Sequence, residues 1–252
     1  MIDAREARIF LSRASGFSEA SLVAHPERNL PNDVQSSFNS MCERRKAGEP
    51  VAYIVGHKEF YGLELAVNSA VLIPRPETEL LVDLALQRKF KSVVDLGTGS
   101  GAIALALKKN RPRAVVTAVE ASAAALVVAQ RNAVKLNLNV DFRHGCWCEP
   151  LAEETFDLIV ANPPYVAAQD PHLAALAFEP AGALVSGVDG LDAIREIAKQ
   201  APDYLSPGGW LLLEHGMGQD VAVRGLLEAA GLEEVATWPD LAGIGRVSGG
   251  RR

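Results

Sequence analysis

Three glycines, Gly97, Gly99 and Gly101, stand between a β-branched run, Ser92-Val93-Val94-Asp95-Leu96, and an apolar stretch over about 102–110 that reads as a helix. A strand feeding a helix through so tight a turn is the βα half of a crossover unit. The pattern then repeats. Val115–Val119 reads as a second strand and about 122–135 as a helix; a weaker strand lies near Val140-Asp141-Phe142, and Phe156–Ala161 is an apolar fourth. Further on come a helix near 191–204, a strand at 210–214, a helix over about 220–230 and two closing strands near 233–238 and 246–248. Alternation at this spacing specifies an α/β fold with a doubly wound, mostly parallel sheet, because parallel neighbours need a helical crossover and both sheet faces must be covered.

The first 76 residues follow another pattern. Ile2, Ile9, Phe10 and Phe17 can share one face of a first helix. A short second helix is expected from the cap Ser18 to before Pro26, and a third is capped by Asn32 or Asp33 with Val34, Phe38, Met41 and Cys42 on one face, ending at Gly48. Ala52–Gly56 and Leu63–Val67 read as short strands around Phe60-Tyr61-Gly62. The expected organisation is a helical module at 1–49, a β-hairpin connector at 50–76 and the large α/β domain at 77–252.

The glycine turn lets a backbone approach a ligand closely. Glu120 ends the second strand about twenty residues on, where a carboxylate can accept both hydroxyls of a ribose. NAD and S-adenosylmethionine both satisfy this pair. The fourth strand separates them. It runs into Asn162-Pro163-Pro164-Tyr165, on the edge where open α/β sheets bind ligands. The two prolines stiffen the loop. The Asn162 side-chain oxygen and a neighbouring backbone carbonyl can grip both hydrogens of a planar –NH2, and the Tyr165 ring can cover it. An amide clamp serves methyl transfer to nitrogen and has no use in hydride transfer. Trp147 follows the third strand and can flank an adenine, although a core tryptophan is the commoner explanation. His144, Cys146 and Cys148 alternate without a fourth ligand, so no metal is expected.

Composition narrows the partners. The 252 residues carry a net charge of −6, which argues against binding dominated by nucleic-acid phosphates. The only dense basic run, Arg44-Arg45-Lys46, reads as a solvated helix end. Three cysteines give no disulfide framework. No apolar run is long enough to span a bilayer, and the start lacks a signal-peptide core. The expectation is a soluble, cytoplasmic, monomeric protein.

The sequence resembles the HemK/PrmC family of protein-(glutamine) methyltransferases. The resemblance rests on Gly48-Glu49-Pro50, Glu59-Phe60-Tyr61-Gly62-Leu63, Leu72-Ile73-Pro74-Arg75-Pro76-Glu77-Thr78-Glu79, Asp95 to Ala104, Asn162 to Tyr165, Phe178-Glu179-Pro180 and Asp189-Gly190-Leu191. It covers about 42–248, and the Ile-Pro-Arg-Pro-Glu-Thr-Glu stretch is its most specific part. It implies a class I S-adenosylmethionine-dependent methyltransferase fold and methylation of the glutamine amide in the Gly-Gly-Gln motif of peptide-chain release factors, with the helical module helping to grip the release factor. It also implies that Gly97, Thr98, Gly99, Ser100, Gly101, Glu120, Trp147 and Asn162 contact S-adenosylmethionine, while Asn162, Pro163, Pro164 and Tyr165 hold the substrate. Cys146 stands where relatives often carry an Asp. Nucleic-acid amino methyltransferases share the Asn-Pro-Pro-Tyr clamp and form the alternative, followed by a non-catalytic cofactor-binding module or an NAD oxidoreductase.

Overall fold

The computed structural model describes residues 2–252 and divides into two compact units, 1–57 and 58–252. In the first unit α1 (Ala4–Ser15) is capped by Asp3, whose carboxylate accepts from the Arg5 and Glu6 amides, both at 2.8 Å. Then follow α2 (Glu19–Ala24), capped by Ser18 as expected, α3 (Asn32–Lys46) and α4 (Val51–Val55). Phe10 is wholly buried among Ile54, Val55, Ile9, Phe38 and Met41.

Three details of this unit differ from the expectation. Residues 52–55 are helical rather than extended, although Ile54 and Val55 are β-branched. Pro50 presets the entry (φ −59°) and its carbonyl accepts from the Tyr53 and Ile54 amides, while the turn buries Ile54 and Val55 against Phe10. Tertiary burial thus overrides a weak β preference. Helix α3 starts from Pro31, not from an Asn32 or Asp33 cap; the Pro31 carbonyl takes the Gln35 amide and places Asn32 inside the first turn. Phe17 lies beyond α1 and is exposed, with the Arg28 guanidinium 4.2 Å from its ring centre.

The second unit opens with the hairpin of β1 (His57–Phe60) and β2 (Leu63–Ala66), followed by a 3-10 turn at Pro76–Thr78 and α5 (Glu79–Gln87). The sheet and its crossovers follow as β3 (Ser92–Leu96), α6 (Ala102–Asn110), β4 (Val115–Glu120), α7 (Ala123–Leu136), β5 (Asp141–His144), β6 (Phe156–Ala161), α8 (Asp192–Tyr204), β7 (Leu205–Glu214), α9 (Asp220–Ala229), β8 (Glu233–Pro239) and β9 (Gly245–Arg251). The spatial order is β5-β4-β3-β6-β7-β9-β8, parallel except for β9, which runs antiparallel to both neighbours. β7 begins five residues before the expected Trp210 because Gly208 and Gly209 pair with Arg252 instead of turning.

Alternate residues of the strands enter two cores. Val93, Val116, Ala118, Leu158 and Val160 pack with α5, α6 and the hairpin; Val94, Leu96, Ile159, Leu211 and Leu213 pack with α8 and α9. The strand order reverses between the parallel neighbours β3 and β6, leaving a crevice at their carboxyl ends. Register aligns that edge: Leu96 pairs with Val119 and Ala161, and Ala161 with Leu213. The next residue on each strand is Gly97, Glu120, Asn162 or Glu214.

Candidate active site

A cavity of about 630 Å³ opens at this edge, within the range of small-molecule sites. Its floor is the glycine turn. The Gly97 and Thr98 amides both donate to the Val119 carbonyl, at 2.9 and 3.0 Å, so the loop is tied to the end of β4. Gly99 has φ +57°, and no atom lies within 4 Å of where a Cβ would stand, so its open side is free space. Gly101 has φ +85°, and a Cβ there would meet Leu105 Cδ1 at 3.0 Å. Gly97, Thr98, Gly99 and Ser100 line the cavity; Gly101 lies behind it, at the α6 N-cap.

Glu120 lines the same cavity, and its carboxylate braces the site from inside. Oε2 accepts from the Gly99 amide and Oε1 from the Ser122 amide, both at 2.8 Å. Each oxygen retains a lone pair. Trp147 packs against the second core and also lines the cavity, its ring edge 3.3 Å from the Cβ position of Gly97. Cys146 lines the cavity beside it, its thiol pushed up by burial. His144 Nε2 lies 2.9 Å from the Ala121 carbonyl and Cys148 is in the core, so the alternating triad does not converge.

Asn162 lies across from the glycine turn. Its Nδ2 donates to Thr78 Oγ1 at 3.1 Å. Its Oδ1 is buried with no partner among the described residues. A buried unpaired acceptor costs about 1–3 kcal/mol, so this atom is set to receive a donor. Pro164 lines the cavity; Pro163 and Tyr165 do not. The Tyr165 ring packs on the second core, where burial first of all pushes its hydroxyl up to about 12. Gln219 Nε2 donates to the Tyr165 carbonyl at 3.0 Å and holds the loop.

Several functional neighbours were not singled out from sequence. Thr78 is one. Asp95 is another: Oδ2 accepts from Thr98 Oγ1 at 2.6 Å and from the Ala104 amide at 3.2 Å, Oδ1 has no partner among the described residues, and burial pushes the carboxyl up to about 7. Glu179 accepts from the Ile73 amide at 3.0 Å and from Arg75 at 2.5 Å. It thereby joins the 70–78 segment to the 180–183 loop, the two stretches forming the far wall. Asn132 bonds both polar groups of Ala66 and the Ser100 carbonyl. Glu179 carried a signal, an acid between Phe178 and Pro180; Asn132 carried none.

Comparison with known proteins is consistent with this geometry. A family model described as "Methyltransferase small domain" matches residues 76–229, and one described as "PrmC N-terminal domain" matches 2–56. The chain is 51% identical to a release factor glutamine methyltransferase of Xylella fastidiosa, over 99% of this chain and 94% of the relative. It is 48% identical to one of Bordetella pertussis, over 97% and 93%. A crystal structure of a methyltransferase from Pyrococcus furiosus superposes with a TM-score of 0.59 at 19% identity, covering 86% of this chain and 98% of that one. The T. thermophilus 16S rRNA N2 G1207 methyltransferase in complex with AdoMet and guanosine gives 0.57 at 24%, covering 78% and 49%. At these identities the two structures show the fold alone.

Proposed function

The chain belongs to the release factor glutamine methyltransferase family, and on that premise we propose that it methylates the side-chain amide nitrogen of the glutamine in the Gly-Gly-Gln motif of a peptide-chain release factor, with S-adenosylmethionine as donor. The observation that carries this reading is the buried, unpartnered Asn162 Oδ1 beside a cavity floored by a glycine turn. The donor set fits the cofactor. The open side of Gly99 leaves room for a chain lying on the turn, Glu120 keeps lone pairs for ribose hydroxyls, and the Trp147 ring offers an apolar face to adenine. S-adenosylmethionine supplies an activated methyl group.

The protein's task is then alignment. An amide nitrogen is a weak nucleophile because its lone pair is delocalised. Asn162 Oδ1 and the Pro163 carbonyl accept its two hydrogens, fix its plane and favour the positive charge that grows on nitrogen. The proton leaves to solvent after transfer. With its ring on the core side, Tyr165 contributes by stiffening the loop, and Gln219 holds its carbonyl. The helical unit is proposed to dock the release factor, the monomer to be the working form, and the cytosol, where translation terminates, to be its compartment.

The test offers radiolabelled S-adenosylmethionine with release factor, release factor carrying Gln→Ala in the motif, DNA and RNA. Label on intact release factor that is lost with Gln→Ala is expected; label on RNA or DNA instead overturns the reading. Asn162→Ala removes one transition-state acceptor, so turnover should fall about a hundredfold, on the order of 3 kcal/mol.

A further inference from the structure

The clamp works only if the Asn162 amide faces one way, with oxygen toward the substrate. The two ends of an amide are nearly the same in shape, so packing alone does not choose between them. The neighbour chooses. Nδ2 donates to Thr78 Oγ1 at 3.1 Å, and the Thr78 side chain is buried, at 4% exposure. A hydroxyl that accepts here must donate elsewhere. Glu214 stands where that proton can go. It follows Leu213, which is in register with Ala161, so Glu214 and Asn162 leave adjacent strands side by side. It is 1% exposed, its Oε2 is buried with no hydrogen-bond partner among the described residues, and the Thr78 hydroxyl stands close enough to favour its charged form.

We infer that Glu214 is a positioning residue for amide methylation: as a carboxylate it accepts a hydrogen bond from the Thr78 hydroxyl, which obliges Thr78 to accept from Asn162 Nδ2 and leaves Oδ1 free for the substrate amide. The inference deepens the function proposed above and rests on it for the identity of the substrate amide. It has a consequence for pH. Burial pushes Glu214 up to about 7; the Thr78 hydrogen bond, Arg246 of β9 and the Tyr165 hydroxyl pull it down, and Glu77 of the 3-10 turn pushes it up. Arg246 is itself held by Asp240 at 3.1 Å. The adjacent His215 lies between the Gly216 carbonyl and Ser248 Oγ, with burial holding its imidazole below the ordinary range. Tyr165 keeps its proton through neutrality. Glu214 is therefore the group whose charge changes at Thr78 near neutral pH. Protonated, it can donate to Thr78 Oγ1. Thr78 is then free to donate to Asn162 Oδ1, and the flipped amide would present two donors to a substrate that brings two donors of its own.

The experiment measures kcat and KM against release factor from pH 5.5 to 9 for wild type, Glu214→Ala, Glu214→Gln, Thr78→Val and Thr78→Ser. The 15N–1H resonances of the Asn162 side-chain amide are followed over the same range without substrate. In wild type kcat should fall on the acid side and the Asn162 resonances should move with the same midpoint. Glu214→Ala and Thr78→Val should lower kcat at least tenfold while S-adenosylmethionine affinity stays within about threefold. Glu214→Gln cannot ionise, so whichever end of its amide meets Thr78 it should lose the acid limb and leave the Asn162 resonances independent of pH. Thr78→Ser should restore both. An acid limb that survives in Glu214→Gln, or Glu214→Ala at wild-type kcat, overturns the assignment. If wild type does not methylate release factor, the proposed substrate is wrong, and the substrate-free resonances still decide: movement with pH in wild type that is absent in Glu214→Gln upholds the positioning role, and none in wild type refutes it.

Discussion

Replacing Glu179 with alanine should loosen the far wall of the cavity by an amount that can be worked out. The Glu179 side chain is 3% exposed and the Arg75 side chain 32%. Breaking a fully buried ion pair costs about 3–5 kcal/mol, but Arg75 can turn its guanidinium to water, which reduces that part to about 1–2 kcal/mol. The Ile73 amide, now bonded at 3.0 Å, loses its acceptor in a buried segment and adds about 1–3 kcal/mol. The sum is about 2–5 kcal/mol. For a unit of this size about 1 kcal/mol shifts the midpoint by roughly 2–4 °C, so Tm should fall by about 10 °C. Because Glu179 joins the 70–78 segment to the 180–183 loop, S-adenosylmethionine affinity should fall as well, by about tenfold. Differential scanning calorimetry and isothermal titration calorimetry read the two effects. Glu179→Gln is the control. It keeps an acceptor for Ile73 while losing the charge facing Arg75, so it should lie between wild type and Glu179→Ala in both. A Glu179→Ala protein that melts within 1–2 °C of wild type, or one that melts early yet binds the cofactor normally, would refute the claim that this residue latches the wall.

Gly99→Ala and Gly101→Ala should separate binding from folding. Both demand positive φ, at about 1 kcal/mol for a non-glycine residue, but a Gly101 Cβ would also crowd Leu105 at 3.0 Å and Ala129 at 3.3 Å. Chemical denaturation should show Gly101→Ala to be the less stable, and equilibrium binding should show Gly99→Ala to be the more impaired for cofactor, its methyl occupying the open side of the turn. Asn132→Ala removes three hydrogen bonds between the hairpin, α7 and the glycine turn; it should cost about 2–4 kcal/mol in urea unfolding and slow-exchanging amides of β2 should lose protection. Asp95 gives a pH signature. Its carboxyl stands near 3.8 when unfolded and about 7 when folded, so between those values the native state holds a proton that the unfolded state has released. Its contribution therefore falls as pH rises through that window, with a slope approaching 1.4 kcal/mol per pH unit at about pH 5–6. Asp95→Asn should flatten the decline in Tm between pH 4.5 and 7.5.

Much of the architecture is local and was legible in one dimension. The alternation of strand and helix, the glycine turn, the Ser18 cap and the polar edge at Glu120 and Asn162 each depend on residues a few positions apart. The 52–55 segment departs from its local preference, because Ile54 and Val55 are buried against Phe10 and fold as the element that buries them. The sequence by itself determined the alternating sheet and the placing of Asn162 at the carboxyl end of its fourth strand. Tertiary structure alone decided how that side chain is held. Asn162 meets Thr78 across 84 positions, Asn132 meets Ala66 across 66 and Glu179 meets Ile73 across 106. It also decided that the Tyr165 ring turns into the core rather than the cavity. Periodicity records which face of an element is apolar, a short-range property of the chain. Which polar side chain completes a hydrogen bond in the interior depends on strand register and on what remains unsatisfied after packing, and those are set only when distant segments come together.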